Sequence, residues 1–230
     1  MFAQRNNRSH SRNRRAKLAR PVRRQRKREY AKARRSLKRN RDNFFDAPEV
    51  WHEPTGRQGF QICSLPPGKS YRHVVSADQV KTRLSKLPKR FLKGLEVVQL
   101  STMTHKKRCL PCYGLQWGCA IYLYPFHDTL EEHYHSPPPQ ALVLETKMYG
   151  ARWDHPQSGL WRLRWTEKTA RDYLLNNILV HELGHLVDTW NTNTTDQERY
   201  AEWFAIEYGY RWTGGNRRPH RRRKVRRRHH

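Results

Sequence analysis

The stretch His181-Glu182-Leu183-Gly184-His185 decides how this chain is read. Two histidines four residues apart, with a glutamate after the first, form the HExxH pattern. On an α-helix, positions i and i+4 share a face about one turn apart, so both imidazoles can reach one ion. Leu179, Leu183, Leu186 and Trp190 recur at helical spacing and predict a buried apolar stripe. Histidines turned inward need polar partners, and a metal supplies one. Hydrogen-bonded structural histidines are the alternative.

A site that leaves one position open for water needs a third protein ligand. No histidine follows until His220, which lies in a charged tail. The acidic candidates are Asp188, Asp196, Glu198, Glu202 and Glu207. Thr195 to Tyr210 reads as a second helix, opened by a capping box of Thr195 with Glu198. Ala201, Ala205 and Gly209 give it a small-residue face able to approach the first helix. Glu202 lies beside that face and is the expected third ligand, with Glu198 next in line.

His181 to His185, followed by Tyr200-Ala201-Glu202-Trp203-Phe204-Ala205, resembles the glutamate-type zincin metallopeptidases, or gluzincins. The likeness is strongest to the branch with an AExFA-type second helix, which includes the catalytic domain of anthrax lethal factor. It covers about Leu174 to Tyr208. It implies zinc bound by His181, His185 and Glu202, with Glu182 as general base in peptide hydrolysis. The thermolysin-like branch places an aspartate four residues after the ligand glutamate; here that position is Ile206. Asp188 or Glu198 is then the candidate to orient a ligand histidine from behind. Asp188 reads equally well as a surface carboxylate.

Charge is distributed unevenly. The chain has 47 Lys and Arg against 20 Asp and Glu. Residues 1–41 carry 18 of those cations and one acid, Glu29; residues 217–230 carry nine and no acid. The middle is nearly neutral, which predicts one globular domain over 44–215 between a basic N-terminal tail, 1–43, and a basic C-terminal tail, 216–230. Some 175 residues suit a single core. Tails of this composition bind nucleic acid or another polyanion by releasing counterions, without reading sequence; a merely solvated tail is the alternative. No apolar run of 18 residues predicts a membrane span. The N-terminus lacks an apolar core for a secretory signal, and its arginines lack the regular apolar face of a transit peptide. The expectation is a cytoplasmic protein, with nucleoid, ribosome or virion as the places such tails would anchor it.

Along the middle, Gly59 to Leu65 and Tyr71 to Val75 read as strands around the turn Pro66-Pro67-Gly68-Lys69. Ser76 to Gln79 is a capping box, with Val80, Leu84 and Leu87 continuing at helical spacing until Pro88. Leu95 to Met103, Gly118 to Tyr124, Ala141 to Met148 and Trp161 to Trp165 read as strands. The loop 125–139 holds Glu131, Glu132, His133 and His135 and reads as solvated. The fold class is α+β: a small zincin-like domain, its twisted, mainly antiparallel or mixed sheet packed on the HExxH helix and a following glutamate helix. An edge strand of such a sheet can pair with an extended peptide.

Cys109 and Cys112 form a CxxC, which with His105, Cys119 or Cys63 could bind a second, structural zinc; a disulfide or redox pair and reduced thiols are the other readings. The function this predicts is zinc-dependent peptide hydrolysis. Glu182 takes a proton from water activated by the ion, and Tyr200, Tyr208, Tyr149 or His155 is a candidate oxyanion donor. The alternative is a nucleic-acid-binding or particle-associated structural protein whose zincin-like domain is not catalytic. Gly184, costly inside a helix, predicts close approach of another backbone.

Overall fold

The computed structural model describes residues 47–109, 112–154 and 160–213, with the backbone alone at Cys109. Both basic tails and the residue His155 lie outside these ranges.

Short apolar runs buried on both faces, with a glycine turn, build the main sheet. Strand β1 is Gln61–Ser64. After the two-residue strand β2, Tyr71–Arg72, comes helix α1, Ala77–Ser85. Ser76 caps α1 in the reciprocal arrangement its sequence predicts, with Gln79 reaching back. Val80 and Leu84 are wholly buried beneath it. A 3₁₀ turn, Lys89–Leu92, leads to β3, Val97–Leu100. Helix α2, His105–Cys109, precedes the hairpin of β4, Gly114–Trp117, and β5, Ala120–Leu123. The hairpin turns on Gly118, whose φ of 62° needs a residue without Cβ strain. The strand order is β1-β3-β5-β4. The first three run parallel and β4 runs antiparallel to β5, so the sheet is mixed and β4 forms one of its edges.

Two smaller sheets complete the strands. β2 pairs with β6, Phe126–His127. β7, Glu131–Tyr134, and β8, Arg152–Asp154, both pair antiparallel with β9, Trp161–Arg164. The segment expected to be a solvated loop therefore contributes a strand. Glu132 does not face water: it accepts hydrogen bonds from Tyr113 Oη, from Tyr134 Oη at 2.9 Å and from Trp165 Nε1 at 3.3 Å.

Ala141 to Met148, expected as a strand, is helical instead: α3 spans Gln140–Met148. Pro139 fits the start of a helix, and Ala, Leu, Glu, Lys and Met outweigh the β-branched Val143 and Thr146. Helix α4, Glu167–Tyr173, passes through a π-turn at Leu174–Ile178 directly into α5, Leu179–Val187. Helix α6, Thr194–Ala205, passes through a second π-turn, Ile206–Arg211.

The helices cover one face of the main sheet. Val98, Leu100, Ile121 and Leu123 meet Leu84, Leu179, Leu183 and Phe204 in one continuous buried cluster. On the other face Trp117, Tyr122 and Tyr124 are covered by the segment containing Ala47 and Trp51, the Trp51 and Trp117 rings lying 5.7 Å apart. The two π-turns meet where α5 and α6 begin and end. A Cβ on Gly209 would fall 1.8 Å from the Asn176 carbonyl oxygen, so only glycine permits that approach. Among the described residues no helix is long and apolar enough to cross a membrane.

Candidate metal centre

The helix carrying His181 ends at Val187, and Asp188 turns the chain into an extended conformation. Trp190, expected on the apolar stripe, lies beyond that end and is 61% exposed. Asp188 shapes the turn: its Oδ1 accepts the amides of Trp190 and Asn191 at 3.2 and 3.1 Å. It is buried, which excludes the surface-carboxylate reading, and the hydrogen bonds to those amides are what its position provides.

The next helix starts at Thr194, and its cap lies two residues earlier than the sequence suggests. Asn193, not Thr195, is the cap, accepting the Asp196 amide at 2.9 Å. Glu198 is thus not engaged in a capping box and reaches the histidines. His181 Nε2 lies 3.4 Å from one Glu198 carboxylate oxygen, His185 Nε2 lies 3.5 Å from the other, and the two Nε2 atoms are 3.1 Å apart. Donors held about 2.0–2.1 Å from a tetrahedral ion stand roughly 3.3–3.4 Å from one another. Each imidazole already stands at about that spacing from a different Glu198 oxygen, and one donor atom from each of the three residues lies within 4.8 Å of the others. Among the described residues they are the group of at least three His, Cys, Asp or Glu able to share an ion.

Glu202, the expected third ligand, is exposed and lies outside this group. Position along the helix decides. Glu198 and Glu202 are four residues, about 6 Å, apart on the axis. The level of α6 against α5 is fixed where Gly184 meets Ala201: a Cβ on Gly184 would stand 2.9 Å from the Ala201 Cα and 3.1 Å from the Phe204 Cβ. That contact puts Glu198 opposite both imidazoles. Gly184→Leu should force the helices apart, at a cost of about 1–3 kcal/mol or more, and loosen the metal. A lowered melting temperature with weakened zinc uptake is the expected result; unchanged values for both would exclude close packing here.

Glu182 lies on the sheet side of the helix, buried against the edge strand. The Gln116 backbone lies beside its carboxylate and favours the charged form. A Cβ on Gly114 would come within 2.8 Å of both its Cγ and its Oε1, so a glycine in β4 makes the space for Glu182. Burial raises the Glu182 pKa above the ordinary carboxylate value, and the two histidines and the Gln116 amide only partly offset this. That is the direction a general base working near neutrality requires.

His181 shows opposing influences. Burial disfavours its charged form, but the hydrogen bond to Glu198 and the charges of Glu182, Glu198 and Glu145 prevail and raise its pKa. Hydrogen bonds from both histidines hold the Glu198 carboxyl below its ordinary range. Glu145 on α3 is a contributor the sequence did not single out; it accepts from Tyr173 Oη at 3.0 Å and from the Asn177 amide.

The sign of the stability effect follows from these directions. A raised His181 pKa stabilises the metal-free chain below the ordinary histidine value, and this is lost as pH rises through the raised value. The depressed Glu198 contributes above the ordinary carboxylate value and is lost only in strong acid. The metal-free chain should therefore melt higher near pH 6 than near pH 8, taking about 6.5 as the ordinary histidine value. His181→Gln should remove that difference in a thermal melt; its persistence would place the titration elsewhere.

The other candidates are less well placed. Tyr149 Oη donates to the Asn176 carbonyl at 3.1 Å, and Tyr208 packs between Phe91 and Phe204. Tyr200 is sandwiched between Trp190 and Phe204. Cys63, Cys112 and Cys119 are free thiols, with Cys63 and Cys112 packed on the aromatic face of the sheet. No cysteine-bearing metal group occurs among the described residues. The CxxC reading depends on Cys109, whose side chain lies outside them. No protein family, curated protein or solved structure matches the chain.

Proposed function

We propose that the chain is a metal-dependent peptidase of zincin-like design, held near nucleic acid or a nucleoprotein particle by its basic tails. The observation that carries this is the set of three donors, His181, His185 and Glu198, gathered within 4.8 Å of one another beside the buried Glu182. Two imidazoles and a carboxylate suit zinc. When bound, such an ion supplies a Lewis acid and lowers the pKa of a coordinated water.

The protein's own groups do the remainder. His181 and His185 serve as neutral donors, their rings fixed on one helix face, and Glu198 closes the set from α6. Glu182, buried beside the β4 edge, receives the proton of the attacking water and returns it to the departing amine. The β4 edge lies beside these groups. Tyr124 N–H donates to the Tyr113 carbonyl, so in this antiparallel pair the backbone groups of Gly114 and Gln116 face outward. With the Gln116 backbone beside Glu182, Gly114 offers its N–H and C=O to an extended peptide.

Hydrolysis of a mixed peptide library, with and without a chelator, tests the proposal. Cleavage restored by zinc after chelation is expected. A zinc-loaded chain that cleaves nothing would favour the second reading, a nucleic-acid-binding or particle-associated protein with a silent domain, which the tail charge favours.

A further inference from the structure

The folded domain is nearly neutral as a whole, but its charge is not uniformly placed. From Gln79 to Leu95 there is no acidic residue, while Lys81, Lys86, Lys89, Arg90 and Lys93 are all exposed. Asp78 is the exposed acid at the start of this stretch. The second π-turn ends against α1. There Trp212 and Thr213 join Asp78, Gln79, Thr82, Arg83, Lys86, Leu175 and Asn176 around a cavity of about 330 Å³. Trp212 is 52% exposed. A chain of contacts through the core links the two sides: Arg90 sits over the buried Phe91 ring, Phe91 packs on Tyr208, and Tyr208 lies 6.4 Å from Trp212. Glu207, the acid nearest in sequence, is paired with Arg211 at 2.7 Å.

The cavity wall also contains a buried cation without a bonded counter-ion. Arg83 is 5% exposed; its Nε donates to Asn176 Oδ1 and its Nη2 to the Tyr208 carbonyl at 2.6 Å, both uncharged acceptors. Its Nη1 has no hydrogen-bond partner among the described residues. The neighbouring Asp172 accepts from Asn176 instead.

We propose that this surface binds single-stranded nucleic acid, with one base laid on the Trp212 indole over the cavity and the flanking phosphates on Lys86, Lys81 and Lys89. Three features select this partner. Exposed rings beside lysines are how single strands are held without sequence preference. The cavity is at the lower end of ligand-sized pockets, roughly 300–1,000 Å³, enough for an unpaired base. The wall presents the Thr82 hydroxyl and the Gln79 side-chain NH2, which can meet the polar edge of a base; a lipid surface would desolvate them without replacement. The cationic sequence of residues 217–230 begins four residues after Thr213. The proposal rests on the polyanion part of the proposed function and not on the metal centre.

The test is fluorescence anisotropy of labelled oligothymidylate, oligouridylate and a duplex of equal length, with the full chain and its variants. Trp212→Ala should weaken binding of both single strands about tenfold, within the range for loss of one stacked base, and leave duplex binding by the tails unchanged. Lys86→Glu should lower the salt dependence by about one ion. Trp190→Ala, an exposed indole away from the cavity, should bind as the parent does. Equal binding of single strands by parent and Trp212→Ala would overturn the proposal. So would a Trp212-dependent preference for phosphatidylserine vesicles, or for an acidic protein, over the oligonucleotides. Chelation should leave these affinities unchanged, so failure of peptidase activity and failure of strand binding are read separately.

Discussion

Glu182→Gln should retain its metal and lose peptide hydrolysis by about two to four orders of magnitude, the usual contribution of a positioned general base. The amide is close to the same shape. It fits the same space against Gly114 and the Gln116 backbone that the carboxylate occupies in the parent. What it lacks is the capacity to take and return a proton. Because burial already disfavours the charged form of Glu182, replacing it with a neutral group should leave the melting temperature unchanged or raise it. Loss of activity together with loss of fold would point to a structural role. Gly114→Val approaches the same carboxylate from the strand side. Its Cβ alone would stand 2.5 Å from Ile178 Cγ2 and 2.8 Å from Glu182 Oε1, so Glu182 must move. Activity should fall with metal content retained.

The second large effect separates two glutamates one turn apart. Glu198→Ala should weaken zinc binding by more than the roughly 10–100-fold that loss of a partner behind a ligand costs. Glu202→Ala should bind as the parent does. The reason is geometric: Glu198 oxygens lie 3.4 and 3.5 Å from the two imidazoles, whereas Glu202 faces solvent. Equilibrium titration against a competing chelator reads both variants. Equal affinities for parent and Glu198→Ala, with a loss in Glu202→Ala, would restore the assignment suggested by family resemblance.

These two glutamates show where sequence reasoning ends. The helix face of His181 and His185, the closeness announced by Gly184 and Ala201, and the Ser76 cap follow from periodicity and from glycine or capping chemistry, all of which are local. The choice of Glu198 depends on how far α6 slides along α5, a tertiary quantity set by the Gly184–Ala201 contact and by a cap at Asn193. Thr195 and Glu198 fit the capping-box pattern equally well in sequence, and that concealed the carboxylate's availability. Gly114 and Gln116 were not singled out because β4 is short and opens on a glycine. Its role emerges only when the hairpin places it beside Glu182. Glu132 in β7 looked solvated because its partners, Tyr113 and Trp165, are distant in sequence. The aromatic and basic halves of the Trp212 surface likewise come from α1 and the second π-turn, more than a hundred residues apart, so no linear pattern joins them.

The central claim is that one ion is held by two imidazoles and a carboxylate between α5 and α6. X-ray absorption at the zinc edge, on the full chain loaded with one equivalent of zinc, tests it most directly. The account predicts a shell of nitrogen and oxygen scatterers at about 2.0–2.2 Å, with the outer features of two histidine rings and no sulfur. A sulfur shell at about 2.3 Å would move the ion to the cysteines and contradict the account, as would zinc that binds no more tightly than it does to His181→Ala.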